Sequence, residues 1–290
     1  MKVILVDTSS ISFRSILNYM SIKEKNDKLG INKYVDQPHY SYFKSLLSIF
    51  KKIGVDKDTK IIMALEGHSW RKDYAGYYKA NRPDYTEWKP FFDKINNVND
   101  KLNKATKFHF IRDWNAECDD IIAVACKYFK DDEVIIVSSD GDLKQLCNYP
   151  NTKFFTVHIK CRGSNGCYIP VSNPLKVLAD KVRKGDKSDN IIPQKDETEE
   201  DAELREFLVN LLELPEFVEQ PIIEKLDKLK PKQENLNLLP FKNSKEKFLQ
   251  IYKKDKILDY DYCVQLQDKR KVKKAKKAKL KRQKKKESKS

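Results

Sequence analysis

Glu133-Val134-Ile135-Ile136-Val137-Ser138-Ser139-Asp140-Gly141-Asp142 is the stretch that decides the fold. Its consecutive β-branched residues read as a short strand buried on both faces, and the polar run that ends it leaves two carboxylates at the strand's carboxyl end. The same pattern occurs at Lys2–Asp7, which ends in Asp7, and at Lys60–Leu65, which runs into Glu66. A fourth strand is expected over residues 154–159. Residues 40–53 carry Tyr42, Phe43, Leu46, Leu47, Ile49, Phe50 and Ile53 at helical spacing, and residues 117–129 carry Ile121, Ile122, Val124, Ala125 and Tyr128 in the same way. Strands alternating with helices predict an α/β domain with a central, mainly parallel sheet flanked by helices. In open sheets of this kind ligands gather outside the carboxyl ends of the strands, which is where three of these strands place acids.

Beyond Asp189 the texture changes. Residues 194–206 are acidic, 204–229 read as helical with Leu204, Phe207, Leu208, Leu211 and Leu212 in the stripe, 231–243 as a loop rich in Pro and Asn, and 244–268 as one more helix. The formal charge of +15 is concentrated at the end: residues 269–290 hold 14 of the 58 basic residues and one acid, Glu287, leaving the rest of the chain near neutrality at +2. Such a run repels itself and cannot bury a core, so a disordered tail is expected, able to hold polyanions or to serve as a nuclear address. A plain solubilising tail is the simpler alternative.

No stretch approaches the roughly 18–20 apolar residues of a membrane span, and the N-terminus reads as a strand rather than a secretory signal, so an intracellular, cytoplasmic location is expected. The six cysteines form no C-x-x-C pair and the four histidines are scattered, which argues against zinc and for reduced, structural thiols.

The acids that stand out are Asp7, Glu66, Glu117, Asp119, Asp120, Asp140, Asp142, Asp186 and Asp189. Gathered at one sheet edge they could not all stay ionised without a counter-charge. Oxygen-only ligands suit Mg²⁺ or Mn²⁺, and two such ions about 4 Å apart clamp a phosphodiester. Singly, each acid reads as well as a cap or turn residue: Glu117-Cys118-Asp119-Asp120 opens an apolar helix, and Ser139-Asp140-Gly141-Asp142 is a turn sequence.

Taken together and in order, Asp7, Glu117-Cys118-Asp119-Asp120, Val137-Ser138-Ser139-Asp140-Gly141-Asp142-Leu143 and Gly185-Asp186-Lys187-Ser188-Asp189-Asn190-Ile191 resemble the flap endonuclease/5′–3′ exonuclease family, with its PIN-like fold. Trp70-Arg71-Lys72 and Tyr77-Tyr78-Lys79-Ala80-Asn81-Arg82 resemble that family's helical arch. The likeness is nearest to the phage branch of RNase H-type 5′-nucleases and covers roughly residues 1–192. It implies a catalytic domain over 1–180 with the arch at 69–90, a divergent helix-hairpin lobe over 181–268, and the tail. It implies a first metal held by Asp7, Glu66, Glu117, Asp119 and Asp140. A second, more open metal would draw on Asp142, Asp186 and Asp189 with Asp120 nearby. Lys79 and Arg82 would address the scissile phosphate, while Arg71 and Tyr78 join Lys79 and Arg82 in binding nucleic acid, Tyr78 by stacking on a terminal base.

The activity so implied is Mg²⁺-dependent 5′–3′ exonuclease and flap endonuclease cleavage of DNA and RNA–DNA junctions by a monomer, removing primers or flaps alongside a polymerase, clamp or single-strand-binding protein. Four positions depart from the family. Glu66 stands where Asp is usual, Cys118 where Ala is, and Gly141 where Lys is. The G-x-G turn that grips duplex is replaced by Pro193-Gln194-Lys195-Asp196-Glu197-Thr198-Glu199-Glu200, whose acids would repel phosphates. Two other readings compete: a nucleic-acid-binding protein on the same fold that has lost turnover, and a PIN-like ribonuclease acting on RNA alone.

Overall fold

Lys2–Asp7 (β1) is the centre of a six-stranded sheet in the computed structural model, which describes residues 1–157, 166–253, 257–265 and 267. Its neighbours are Lys60–Leu65 (β2) on one side and Glu133–Ser138 (β4) on the other, both parallel to it. His109–Arg112 (β3) continues the sheet beyond β2. Thr152–Thr156 (β5) continues it beyond β4, and Cys167–Ile169 (β6) closes that edge antiparallel. The order β3-β2-β1-β4-β5-β6 reverses direction between β1 and β4, so a crevice opens at their carboxyl ends. The expected strand at 154–159 is described only to Thr156, and the tail 269–290 lies outside the described residues.

The unbroken apolar strands are explained by helices on both faces. Ile4 and Val6 point into one core with Thr8–Lys28 (α1), Pro38–Ile53 (α2) and Lys89–Ala105 (α4); Val3 and Leu5 point into the other with Cys118–Tyr128 (α5). The stripe read in residues 40–53 is buried, and α2 stops at Gly54, whose left-handed backbone (φ 77°) caps Phe50 O. The C-terminal segment packs on both faces: Leu211, Val218, Ile222 and Leu226 join the α5 core, while Phe248, Ile251 and Cys263 join the α2 core.

Several expectations change. The helix expected over 204–229 is two helices, Glu199–Val209 (α7) and Glu216–Asp227 (α8), parted before Pro215. The last predicted helix shortens to Ser244–Leu249 (α9) and a 3-10 turn, with helix again at 260–265. The arch segment 69–90 is no continuous helix: Arg71–Tyr74 (α3), a 3-10 turn at Thr86–Trp88 and the start of α4 at Lys89 are its regular parts. Cys167 is disulfide-bonded, so among the described residues the expectation of reduced thiols holds for Cys118, Cys126, Cys147 and Cys263 but not for Cys167. Pattern reading also passed over α1 and α4, the short strands β3 and β6, and Pro174–Lys184 (α6), which has no buried residue to reveal it.

The loops after β2 and β3 are laced together. Gly67 N donates to Ala116 O at 3.0 Å and His68 N to Trp114 O at 2.7 Å, which fixes Glu66 beside Glu117. A Cβ on Gly67 would lie 1.9 Å from Asp113 O and 2.6 Å from Ala116 O, both backbone atoms with little room to yield. Gly67→Ala is therefore expected to destabilise the fold by at least about 2 kcal/mol, read as a lower urea midpoint. An unchanged midpoint would contradict this account of the loop crossing.

Candidate metal centre

Asp7 closes β1 and caps α1: its side chain accepts from Ser10 N at 2.9 Å and from Ser138 Oγ at 2.6 Å. Glu66, just past β2, accepts from Ser9 Oγ at 2.8 Å and Cys118 N at 3.3 Å. Glu117 and Asp120 form a capping box at the start of α5, with Asp119 between them, and Asp140 follows β4 with its backbone N on Ser138 Oγ. Asp7, Glu66, Glu117, Asp119 and Asp140 line one cavity of about 640 Å³, together with Lys79, Arg82, Arg112 and Phe13. The five acids that the family likeness assigns to a first metal therefore face one cavity, and of the five Glu117 and Asp119 bring carboxylate oxygens within 4.8 Å of each other.

The second trio also meets. Carboxylate oxygens of Asp142, Asp186 and Asp189 lie within 4.8 Å of one another, as do those of Glu117, Asp119 and Asp120. The loop bearing Asp186 and Asp189 is closed by reciprocal backbone hydrogen bonds between Asp186 and Ile191 at 2.6 and 2.8 Å. It starts at Gly185, whose φ of 69° and closeness to Ile191 O, 2.2 Å from any added Cβ, require glycine. α6 packs against the 3-10 turn Asp142–Asn148, which brings this loop to Asp142.

Burial and crowding mark the electrostatics. Burial pushes the Asp7 carboxyl up to about 7, against its two hydrogen bonds and with the Asp140 and Glu66 charges adding. Asp119 is raised well above the usual range by burial and by its neighbours Asp120 and Glu117. Burial raises Asp142 to about 6 even though Lys181 opposes it. Glu117 goes the other way: although burial would raise it, Lys79 and Arg71 hold it down to about 2. Asp186 is likewise held to about 2 against burial, by Lys181 and Ser188.

Three assignments need correction. Arg71 is only 1 % exposed; it pairs with Glu117 at 3.2 Å and Asp120 at 2.8 Å, donates from Nε to Leu208 O at 2.7 Å and lies over Trp70. It braces the arch segment against α5 and α7 and presents nothing to a nucleic acid. Tyr78 is 3 % exposed and its hydroxyl donates to Glu117 at 3.0 Å, so no base can stack on it; Tyr77, at 47 %, is the exposed ring. Asp120 is fully buried, pairs with Arg71 and accepts from Glu117 N, and its carboxylate lies with those of Glu117 and Asp119 rather than beside Asp142, Asp186 and Asp189. The acidic replacement for the duplex-gripping turn is also partly neutralised: Glu197 pairs with Arg205 at 2.5 Å, and Asp201 caps α7 with Thr198.

Lys79 and Arg82 line the cavity wall, Lys79 paired with Glu117 and Arg82 with Asp189 at 2.8 Å. Lys79 holds a left-handed backbone (φ 58°), and its N donates to Asp189 O at 2.9 Å, tying the arch segment to the second trio. The residue that sequence reading missed is Lys181, whose ammonium lies among Asp142, Asp186 and Asp189. Its only signal was position: a basic residue in the last helical turn ahead of Gly185-Asp186.

The donors are all carboxylate oxygens, and two of the cavity's acids are pushed toward protonation where no cation pairs with them, so the arrangement fits hard divalent cations.

Residues 2–167 match the family described as "5'-3' exonuclease, N-terminal resolvase-like domain". The ribonuclease H of Enterobacteria phage T4 is 32 % identical over 199 residues, which cover 64 % of this chain and 61 % of that protein, so under two thirds of the relative's length is matched. Among solved structures, the T5 D15 protein co-crystallised with metal ions aligns at a TM-score of 0.46 and 19 % identity over 91 % of each chain. A T5 5′-exonuclease with bound zinc aligns at 0.45 and 22 % over 87 % of each. The family match spans more than half of the chain, and the chain belongs to the 5′–3′ exonuclease family.

Proposed function

We propose that the chain is a Mg²⁺-dependent 5′-nuclease, a 5′–3′ exonuclease and flap endonuclease that hydrolyses phosphodiesters in DNA and at RNA–DNA junctions and so removes primers or flaps in replication and repair. The observation that carries this reading is one cavity lined by five carboxylates with Lys79 and Arg82 at its wall. That is the pairing a phosphodiester needs: acids to hold cations, and cations to meet its negative oxygens.

Asp7, Glu66, Glu117, Asp119 and Asp140 would hold one ion, and Asp142, Asp186 and Asp189 a second, with Mn²⁺ a substitute for Mg²⁺. Bound there, the ions supply Lewis acidity toward the phosphodiester and the means to ionise water at neutral pH. Lys79, a compact point charge with its side chain 11 % exposed, meets a non-bridging phosphate oxygen. Arg82, with its side chain 45 % exposed, reaches further out and orients the strand. Ser10 and Ser138 fix Asp7, and Ser9 fixes Glu66, so the longer side chain at 66 is held in the cavity by two donors rather than left free. Exposed Tyr77, and Trp114 at 80 % exposure, offer aromatic faces to unpaired bases.

Cleavage of a 5′-labelled DNA flap and of an RNA-primed nicked duplex, with Mg²⁺ or EDTA, tests the reading. Wild type should cut only with the metal, and Asp140→Asn should cut more than about 100-fold more slowly while still binding the substrate, since even partners of metal ligands are worth 10–100-fold. Equal rates in the two proteins would refute the site. Binding without cleavage by wild type would shift the assignment to a binding protein on this fold.

The crowded acids also predict a pH dependence. Asp7, at about 7 when folded against a usual 3.8, and Asp142, at about 6, contribute stability that is full at low pH and lost as pH rises through those values. Glu117 and Asp186, held near 2, act oppositely and only at lower pH: their contribution is present above about 4 and lost toward 2. In EDTA the melting temperature should therefore fall between pH 5 and pH 8, and Mg²⁺ should restore more of it at pH 8 than at pH 5. A flat profile in EDTA would contradict the burial of these charges.

A further inference from the structure

The two carboxylate clusters are not equivalent. Among the described residues, no lysine or arginine forms an ion pair with Asp7, Glu66, Asp119 or Asp140; the cations of that region, Lys79 and Arg71, go to Glu117 and Asp120. The second cluster is served directly. Lys181 Nζ contacts Asp142 and lies 2.9 Å from Asp186 and 3.7 Å from Asp189, with its side chain 10 % exposed, and Arg82 adds a second pair to Asp189. This is no loose surface contact. The lysine is delivered by α6, which packs on the turn that carries Asp142, and it enters among the three acids whose oxygens lie within 4.8 Å of one another.

We propose that Lys181 is a built-in counter-ion of the second cluster, and that a divalent ion enters that cluster only by displacing it. An ammonium and a divalent cation cannot share three carboxylates at these distances: the lysine consumes the oxygens the ion needs and repels it. The displaced ammonium remains tethered to α6 beside the cavity, where the nearest compensating charge is a phosphate oxygen of a bound strand. Metal entry at the second cluster and phosphate capture are then linked, each favouring the other, as linkage requires of any coupled pair. The first cluster meets an ammonium only at Glu117, through Lys79, while Asp7, Glu66, Asp119 and Asp140 form no ion pair among the described residues, so its filling does not require Lys181 to move. This rests on the proposed metal-dependent function and adds to it an order of filling and a residue that sets it.

The test is calorimetric titration of Mn²⁺ into the metal-free full-length chain without substrate, wild type beside Lys181→Met, a side chain of similar length and no charge. Wild type should show one tight site and a second at least about 10-fold weaker; Lys181→Met should bind the second ion at least about 10-fold more tightly than wild type, with the first unchanged. A second measurement uses wild type alone, in case the variant is unstable with three unpaired carboxylates. A nuclease-resistant phosphorothioate oligonucleotide should tighten the weak site and leave the tight one where it was. Two sites of unchanged affinity in Lys181→Met, or no effect of the oligonucleotide on wild type, would overturn the role of Lys181 while leaving the metal centre standing. Failure of wild type and variant alike to bind Mn²⁺ would overturn the metal reading and this inference together.

Discussion

Repulsion among carboxylates at the carboxyl edge of the sheet is the constraint on which the rest of this structure depends. Asp7, Glu66, Glu117, Asp119 and Asp140 share one cavity, and Asp142, Asp186 and Asp189 stand in a second group beside it. Like charges at such spacing in a buried site oppose folding unless cations or protons offset them. The chain answers with four basic residues drawn from three separate places: Arg71 from α3, Lys79 and Arg82 from the turns that follow it, and Lys181 from α6. Each is anchored by more than its charge. Arg71 also holds Leu208 O, and Lys79 takes a left-handed backbone to donate to Asp189 O. The site and the packing of the arch segment are one problem with one solution.

Sheet topology explains why the acids converge. The order reverses between β1 and β4, which leaves a crevice at their carboxyl ends, and Asp7 and Ser138 meet across it at 2.6 Å. The next strand out, β2, contributes Glu66, and the loop after β3 leads into Glu117. Gly67 lets those two loops touch. The C-terminal helices complete the arrangement from outside the sheet: Gln145, buried beside the second cluster's turn, bonds both Val209 O at 3.2 Å and Leu211 N at 3.0 Å, which ties the end of α7 to the β4–β5 crossover.

Legibility from sequence followed local pattern closely. Asp7, Glu66 and Asp140 could be read because each ends an apolar run, and α2 and α5 because their stripes repeat at helical spacing over several turns. Lys181 could not, because its three acids become its neighbours only when α6 lies against the turn after β4, a contact between segments about 40 residues apart in the chain. Arg71 and Tyr78 were misread for a related reason. A basic, aromatic segment resembles a nucleic-acid surface, but the side chains at 71 and 78 turn inward to satisfy buried acids, leaving Tyr77, Lys79 and Arg82 to face the cavity or solvent. The long helix α1 escaped notice because its second half is exposed and mixed in polarity.

The central claim is that the acids at this sheet edge hold divalent cations, and the most direct measurement is the anomalous scattering of a crystal of the full chain soaked in Mn²⁺. The account predicts a peak within bonding distance, about 2.0–2.3 Å, of carboxylate oxygens from Asp7, Glu66, Asp119 or Asp140 in the cavity. Manganese absent from that cavity, with the four carboxylates ordered and unliganded, would contradict it.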